Sequence, residues 1–166
     1  MRRRMMMLVS AAVLTLGTAG VLAQAAPNFS GSWTMVPDVN APQGGGRGGG
    51  FGGGLGAAAK IAQDAKTLTI TRTGPAGEIK SVYNLDGSDS KNTINAGGNN
   101  MESVSKAKWD GAKLAVATRM DFGGNAFETT MSLSLDASGN LVVESTRPDF
   151  QGGGGPVTTK LIYKKG

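Results

Sequence analysis

From position 58 to the C-terminus, apolar and polar residues take turns along the chain. This is the two-residue period of a strand with one buried face, and no stretch carries the 3.6-residue period of a helix. Lys113-Leu114-Ala115-Val116-Ala117-Thr118-Arg119-Met120 keeps the alternation for four periods. Phe127, Thr129, Met131, Leu133 and Leu135 alternate with Glu128, Thr130, Ser132 and Ser134. The pattern predicts strands at 31–36, 58–63, 67–73, 77–85, 88–95, 101–109, 112–122, 125–135, 140–147 and 157–165. Short strands in such a series predict an all-β fold, an antiparallel up-and-down meander closed into a barrel of eight to ten strands.

The connections between these segments fall into two kinds. If consecutive strands pair as hairpins, successive loops alternate between the two ends of the sheet. One set is Asp64-Ala65-Lys66, Asp86-Gly87-Ser88, Asp110-Gly111 and Asp136-Ala137-Ser138-Gly139, short turns that each begin with Asp. The other set, all glycine-bearing, is 38–56, 74–77, 96–100, 123–124 and 149–156. Strict alternation of the two kinds predicts a barrel with a tight end and a glycine-rich, mobile end.

The first strand opens with Asn28-Phe29-Ser30-Gly31-Ser32-Trp33, in which Phe29, Gly31, Trp33 and Met35 share a phase. Gly31 is expected to let neighbouring backbone come close, and Trp33 carries a large apolar surface. Trp33 starts an outbound strand and Trp109 ends an inbound one, so both belong at the tight end as barrel-closing plugs. After Pro37 comes GGGRGGGFGGGLG, thirteen residues with ten glycines at 44–56. Burial cannot offset the ordering entropy of such a stretch, so 38–56 reads as a flexible loop.

Composition narrows the chemistry. The 166 residues contain no Cys and no His, which removes disulfides, thiolate and histidine catalysis and the usual soft metal ligands. No metal or cofactor is expected. The formal charge of +5 owes three units to Arg2, Arg3 and Arg4; beyond them 14 basic residues face 12 acidic ones, too even a balance for a nucleic-acid binder. Those arginines, the apolar run 5–22 and small residues around Ala23-Gln24-Ala25 make 1–25 a secretory signal, cut after Ala23 or Ala25. The run is also about long enough to span a membrane, although Ser10, Gly17, Thr18 and Gly20 interrupt it. The expected product is a single exported domain over 26–166, periplasmic or extracellular, with no transmembrane segment.

Phe29-x-Gly31-x-Trp33, Leu68-Thr69-Ile70, Trp109-Asp110-Gly111-Ala112-Lys113-Leu114, Gly139-Asn140-Leu141-Val142-Val143 and Leu161-Ile162-Tyr163-Lys164-Lys165 together resemble the calycin superfamily of lipocalins and fatty-acid-binding proteins. In order and spacing the set is similar to the ten-strand fatty-acid-binding proteins, and the opening also resembles that of a group of secreted bacterial proteins. The resemblance implies a barrel that holds a small apolar or amphipathic molecule. Where the fatty-acid-binding family has a helical lid, this chain has its glycine loop. Where that family holds a carboxylate with Arg-x-Tyr, Tyr163 matches the Tyr and Leu161 stands in place of the Arg. Lipocalins often cover the first tryptophan with a basic side chain from the last strand, a role open to Lys164 or Lys165.

The alternation puts Arg72 in phase with Leu68 and Ile70, and Arg147 in phase with Leu141, Val143 and Ser145. Both arginines then point inward near the glycine end, together with Met120, Phe122 and Phe127, while Tyr83 lies deeper. Two guanidinium forks over an apolar lining suit an amphipathic anion. The alternative is that both arginines bend out to solvent and the Met and Phe side chains are core. Carboxylate pairs among Glu78, Glu102, Asp121, Glu128 and Glu144 fall mostly on the solvent phase, which leaves no support for an enzyme. Asp86-Gly87-Ser88-Asp89-Ser90 lacks the spacing of a calcium loop. Two functions stay open: a ligand-binding barrel, or an envelope-associated structural or interaction protein with a filled barrel.

Overall fold

The computed structural model describes residues 26–37, 54–74, 77–96, 99–122, 124–149 and 154–166, with the side chains of residues 95, 96, 99 and 122 left out. The expected signal segment 1–25 and most of the glycine loop therefore lie outside the described residues. Ten strands form in chain order: β1 (Gly31–Met35), β2 (Ala58–Gln63), β3 (Thr67–Gly74), β4 (Gly77–Asn84), β5 (Asp89–Ala96), β6 (Asn99–Asp110), β7 (Lys113–Phe122), β8 (Asn125–Leu135), β9 (Leu141–Arg147) and β10 (Val157–Lys165). The all-β meander read from the alternation is the observed fold, and every boundary falls within two residues of its expected place. Among the described residues there is no helix long and apolar enough to cross a membrane.

All pairs are antiparallel, in the order β4-β3-β2-β1-β10-β9-β8-β7-β6-β5. First and last strands meet in the middle of the sheet, with Trp33 opposite Lys165. Closure is incomplete. β4 and β5 follow one another in the chain and touch, yet no ladder joins them, so the barrel carries a seam. Side chains bridge it instead: the Asn92 amide accepts from Val82 N at 2.7 Å and donates to Val82 O at 2.9 Å. Asn84 N donates to Ser90 Oγ at 2.7 Å, and Asn84 Nδ2 to Asp89 O at 3.0 Å. The exposed backbone of β4 is thus satisfied by the amide and hydroxyl groups of its neighbour.

The tight end is built as its turn chemistry dictates. Asp64 accepts from the amides of Lys66 and Thr67, each at 2.7 Å, and Asp86 from Ser88 N at 2.9 Å. Asp136 accepts from Ser138 N and Asn140 N. These carboxylates occupy the position of a turn acceptor, which fixes each hairpin register.

Within this end lies the apolar core, where Phe29, Trp33, Leu68, Leu114, Leu133, Leu141 and Tyr163 are buried. Trp33 Nε1 donates to Phe29 O at 2.8 Å, and Phe29 stacks on Trp109 with ring centroids 5.8 Å apart. Both tryptophans join the plug, and Phe29 is the ring that connects them.

Gly31 serves a different neighbour from the one expected. Its φ is +144°, and a Cβ there would stand 2.6 Å from Lys165 Cε, so the space goes to a lysine stem and not to backbone. That stem carries Lys165 Nζ to 5.6 Å from the Trp33 ring centroid, a cation–π contact.

Candidate functional site

Inward positions change character along the barrel axis. From the tight end towards the glycine end, β3 offers Leu68, Ile70 and Arg72, and β7 offers Leu114, Val116, Thr118 and Met120. β8 offers Leu133, Met131 and Thr129, and β9 offers Leu141, Val143 and Ser145. In β6 the order is Ala107, Ser105, Ser103 and Met101. The pleat supplies the inward direction, and residue choice turns an apolar floor into a largely polar chamber.

A cavity of about 100 Å³ occupies that chamber. Ser81 and Tyr83 of β4 and Asn92 and Ile94 of β5 form its wall on either side of the seam. Ser103, Ser105, Thr118 and Met120 face them, Thr129, Thr130 and Met131 complete the lining, and Arg72 projects into it. Several hydroxyls are already engaged: Ser105 Oγ and Thr118 Oγ1 lie 2.8 Å apart, and Ser103 Oγ donates to Asn92 O.

Arg72 is the charged group of this wall. Its Nη1 donates to Gly54 O at 3.3 Å. None of the described residues lining the cavity is acidic; the ion pairs of Lys91 with Glu102, of Lys106 with Asp89, and of Glu144 with Lys113 and Lys160 lie outside its lining. Burial pushes the guanidinium below its ordinary value, opposed by the neighbouring Tyr83 and Tyr163. Arginine's very high starting pKa keeps it charged all the same. Burial raises Tyr83 and Tyr163 above the usual phenol value, so both are neutral hydroxyls at physiological pH.

The end of the glycine loop docks onto this group of residues. The flexible reading of 38–56 does not hold for 54–56: Leu55 is buried among the core residues, and Leu55 N donates to Tyr163 Oη at 3.0 Å. Gly54 packs closely here: a Cβ would lie 2.6 Å from Leu161 Cδ1, which would have to shift, and 3.3 Å from Tyr163 Oη. Residues 38–53 lie outside the described residues.

Arg72, Tyr83 and Met120 of the residues expected at the site line one cavity. Arg147 does not join them. It borders a second cleft of about 360 Å³, with Glu128, Thr146, Pro148, Asp149 and the Gly154-Gly155-Pro156 stretch. The two arginines therefore do not form one fork, because β9 ends at Arg147 and its side chain joins the β9–β10 connection. Phe127 is half-buried and borders neither cavity, and the Phe122 side chain is outside the described residues. Sequence reasoning missed Asn92, Ser103, Ser105 and Leu55. The serines were within reach, since Ser103 and Ser105 share a phase with Met101 and Ala107; Leu55 had no such signal, standing as it does in a glycine run.

Compared with known protein-family models the chain matches none, and compared with curated proteins it matches none. Among the described residues no three of His, Cys, Asp and Glu come together as metal ligands.

Proposed function

We propose that this protein is an exported, lipocalin-like binding barrel that takes a small amphipathic anion into the chamber at its glycine-rich end. One observation carries the reading: Arg72, a partly buried guanidinium, faces a cavity with no carboxylate among the described residues that line it. A buried charge without a counter-charge is costly, and a ligand carboxylate would offset that cost through a bidentate hydrogen bond. Tyr83, Ser81 and Asn92 add neutral donors, while Ile94, Met120 and Met131 supply apolar surface for the other end of the molecule. Size sets the class. About 100 Å³ is below the 300–1,000 Å³ of drug-sized sites, so a long acyl chain does not fit as the chamber stands.

Calorimetric titration with straight-chain monocarboxylates from propionate to hexanoate tests this. Wild type is expected to bind and Arg72→Met to lose the binding; equal heats from both would remove Arg72 from the function. A second reading, a filled barrel acting through its outer surface, is favoured by the packed lower half and by Leu135, Val157 and Ile162 on the outside. It predicts no heat with any acid.

A further inference from the structure

The Gly54-Leu55 segment rests on Arg72 and Tyr163. Its carbonyl oxygen rests on the Arg72 guanidinium at 3.3 Å, its next amide donates to Tyr163 Oη at 3.0 Å, and the Leu55 side chain is 2 % exposed. A polar oxygen on the guanidinium, followed by a short chain ending in a buried branched group, is the outline of a small amphipathic acid.

We infer that Gly54-Leu55 is a built-in competitor, and that the ligand is a short, branched monocarboxylate which displaces it from Arg72. This rests on the reading of Arg72 as an anion site. A carboxylate outcompetes a neutral carbonyl for a guanidinium because the charge-assisted bidentate pair is roughly twice as strong. Withdrawing Leu55 would free the space that its side chain fills in the core cluster. A side chain at Gly54 would crowd the docked state, because its Cβ would lie 2.6 Å from Leu161 Cδ1 and 3.3 Å from Tyr163 Oη and the Leu161 methyl would have to move aside. The segment follows directly on the glycine-rich stretch 44–53 of the sequence.

The covalent path defines the probe. From the Gly54 carbonyl carbon through Leu55 N, Cα and Cβ to the branched Cγ runs the same number of bonds as from the carboxyl carbon of 5-methylhexanoate to its branch point. The experiment titrates mature wild type, Gly54→Ala and Arg72→Met with 5-methylhexanoate and with propionate, which is small enough to enter without displacing Leu55. Leu55 methyl signals are followed by NMR in the same samples.

Gly54→Ala is expected to bind 5-methylhexanoate roughly tenfold tighter than wild type, because the fraction of open chamber rises. Propionate should bind both equally, and Arg72→Met should bind neither acid. In wild type, 5-methylhexanoate should move the Leu55 methyl signals to solvent-exposed positions. If wild type binds both acids while Gly54→Ala gains nothing and the Leu55 signals stay in place, the competitor is refuted and the anion site stands. If no protein binds either acid, both ideas fall together. Should Gly54→Ala not fold, the Leu55 signals of wild type decide alone.

Discussion

The two halves of this barrel are made by the same strands and the same pleat, yet they are built for different ends. Towards the Asp-led turns, inward positions hold Leu68, Leu114, Leu133 and Leu141, closed by the Phe29, Trp33 and Trp109 rings. Towards the glycine loops, the same strands present Arg72, Ser103, Ser105 and Thr118 around a cavity. The difference teaches that stability is concentrated in one half, which leaves the other free to carry polar side chains that would be costly in a packed core.

Mutations can break this division or sharpen it. The largest effect is expected at the floor, where Leu114→Ala should cost about 2–5 kcal/mol in denaturant unfolding by removing buried volume from a core that cannot collapse to fill it. At the seam, Asn92→Ala removes both bonds to the Val82 backbone and should cost about 1–3 kcal/mol, with hydrogen exchange at Val82 N accelerated. In the chamber, Ser103→Ala forfeits one hydroxyl bond to Asn92 O and should cost about 1 kcal/mol or less. A loss at Ser103 as large as that at Leu114 would mean that the two halves are packed alike.

The smallest effect belongs to the turns. Hydrogen bonds hold the carboxyls of Asp64, Asp86 and Asp136 below their ordinary value: from Lys66 and Thr67, from Ser88, and from Asn140, Ser138 and Gly139. Glu144 is lowered by Lys160 and Lys113. A lowered folded-state pKa contributes stability that is complete above the unfolded value near 4 and is lost as pH falls through the folded value. Melting temperature should therefore hold steady from neutral pH to about pH 5 and drop below pH 4. Asp136→Asn should flatten part of that drop.

Much of this was legible in the alternation. Ten strands, the two kinds of loop and the inward phase of Arg72 follow from a period of two and from where Asp and Gly stand. The seam was not legible, because β4 and β5 alternate like any hairpin; it depends on Asn92 and Ser90 reaching a backbone edge, a tertiary event that periodicity does not encode. That Arg147 borders a different cleft from Arg72 was hidden for a related reason. Phase gives direction within a strand, but the last residue of β9 takes its surroundings from the loop that follows. Leu55 escaped because composition spoke for disorder over the whole run, while one buried leucine and one hydrogen bond to Tyr163 anchor its end.

On the proposed reading, Arg72 is held in the chamber for binding and at the expense of stability. Melting of wild type and Arg72→Met, each with and without hexanoate, tests it most directly. Without acid the variant should melt at or above the wild-type temperature, since a partly buried charge with no carboxylate beside it among the described residues has been removed, and hexanoate should raise the melting temperature of wild type alone. A variant that melts lower than wild type, with hexanoate shifting both proteins equally or neither, would contradict it.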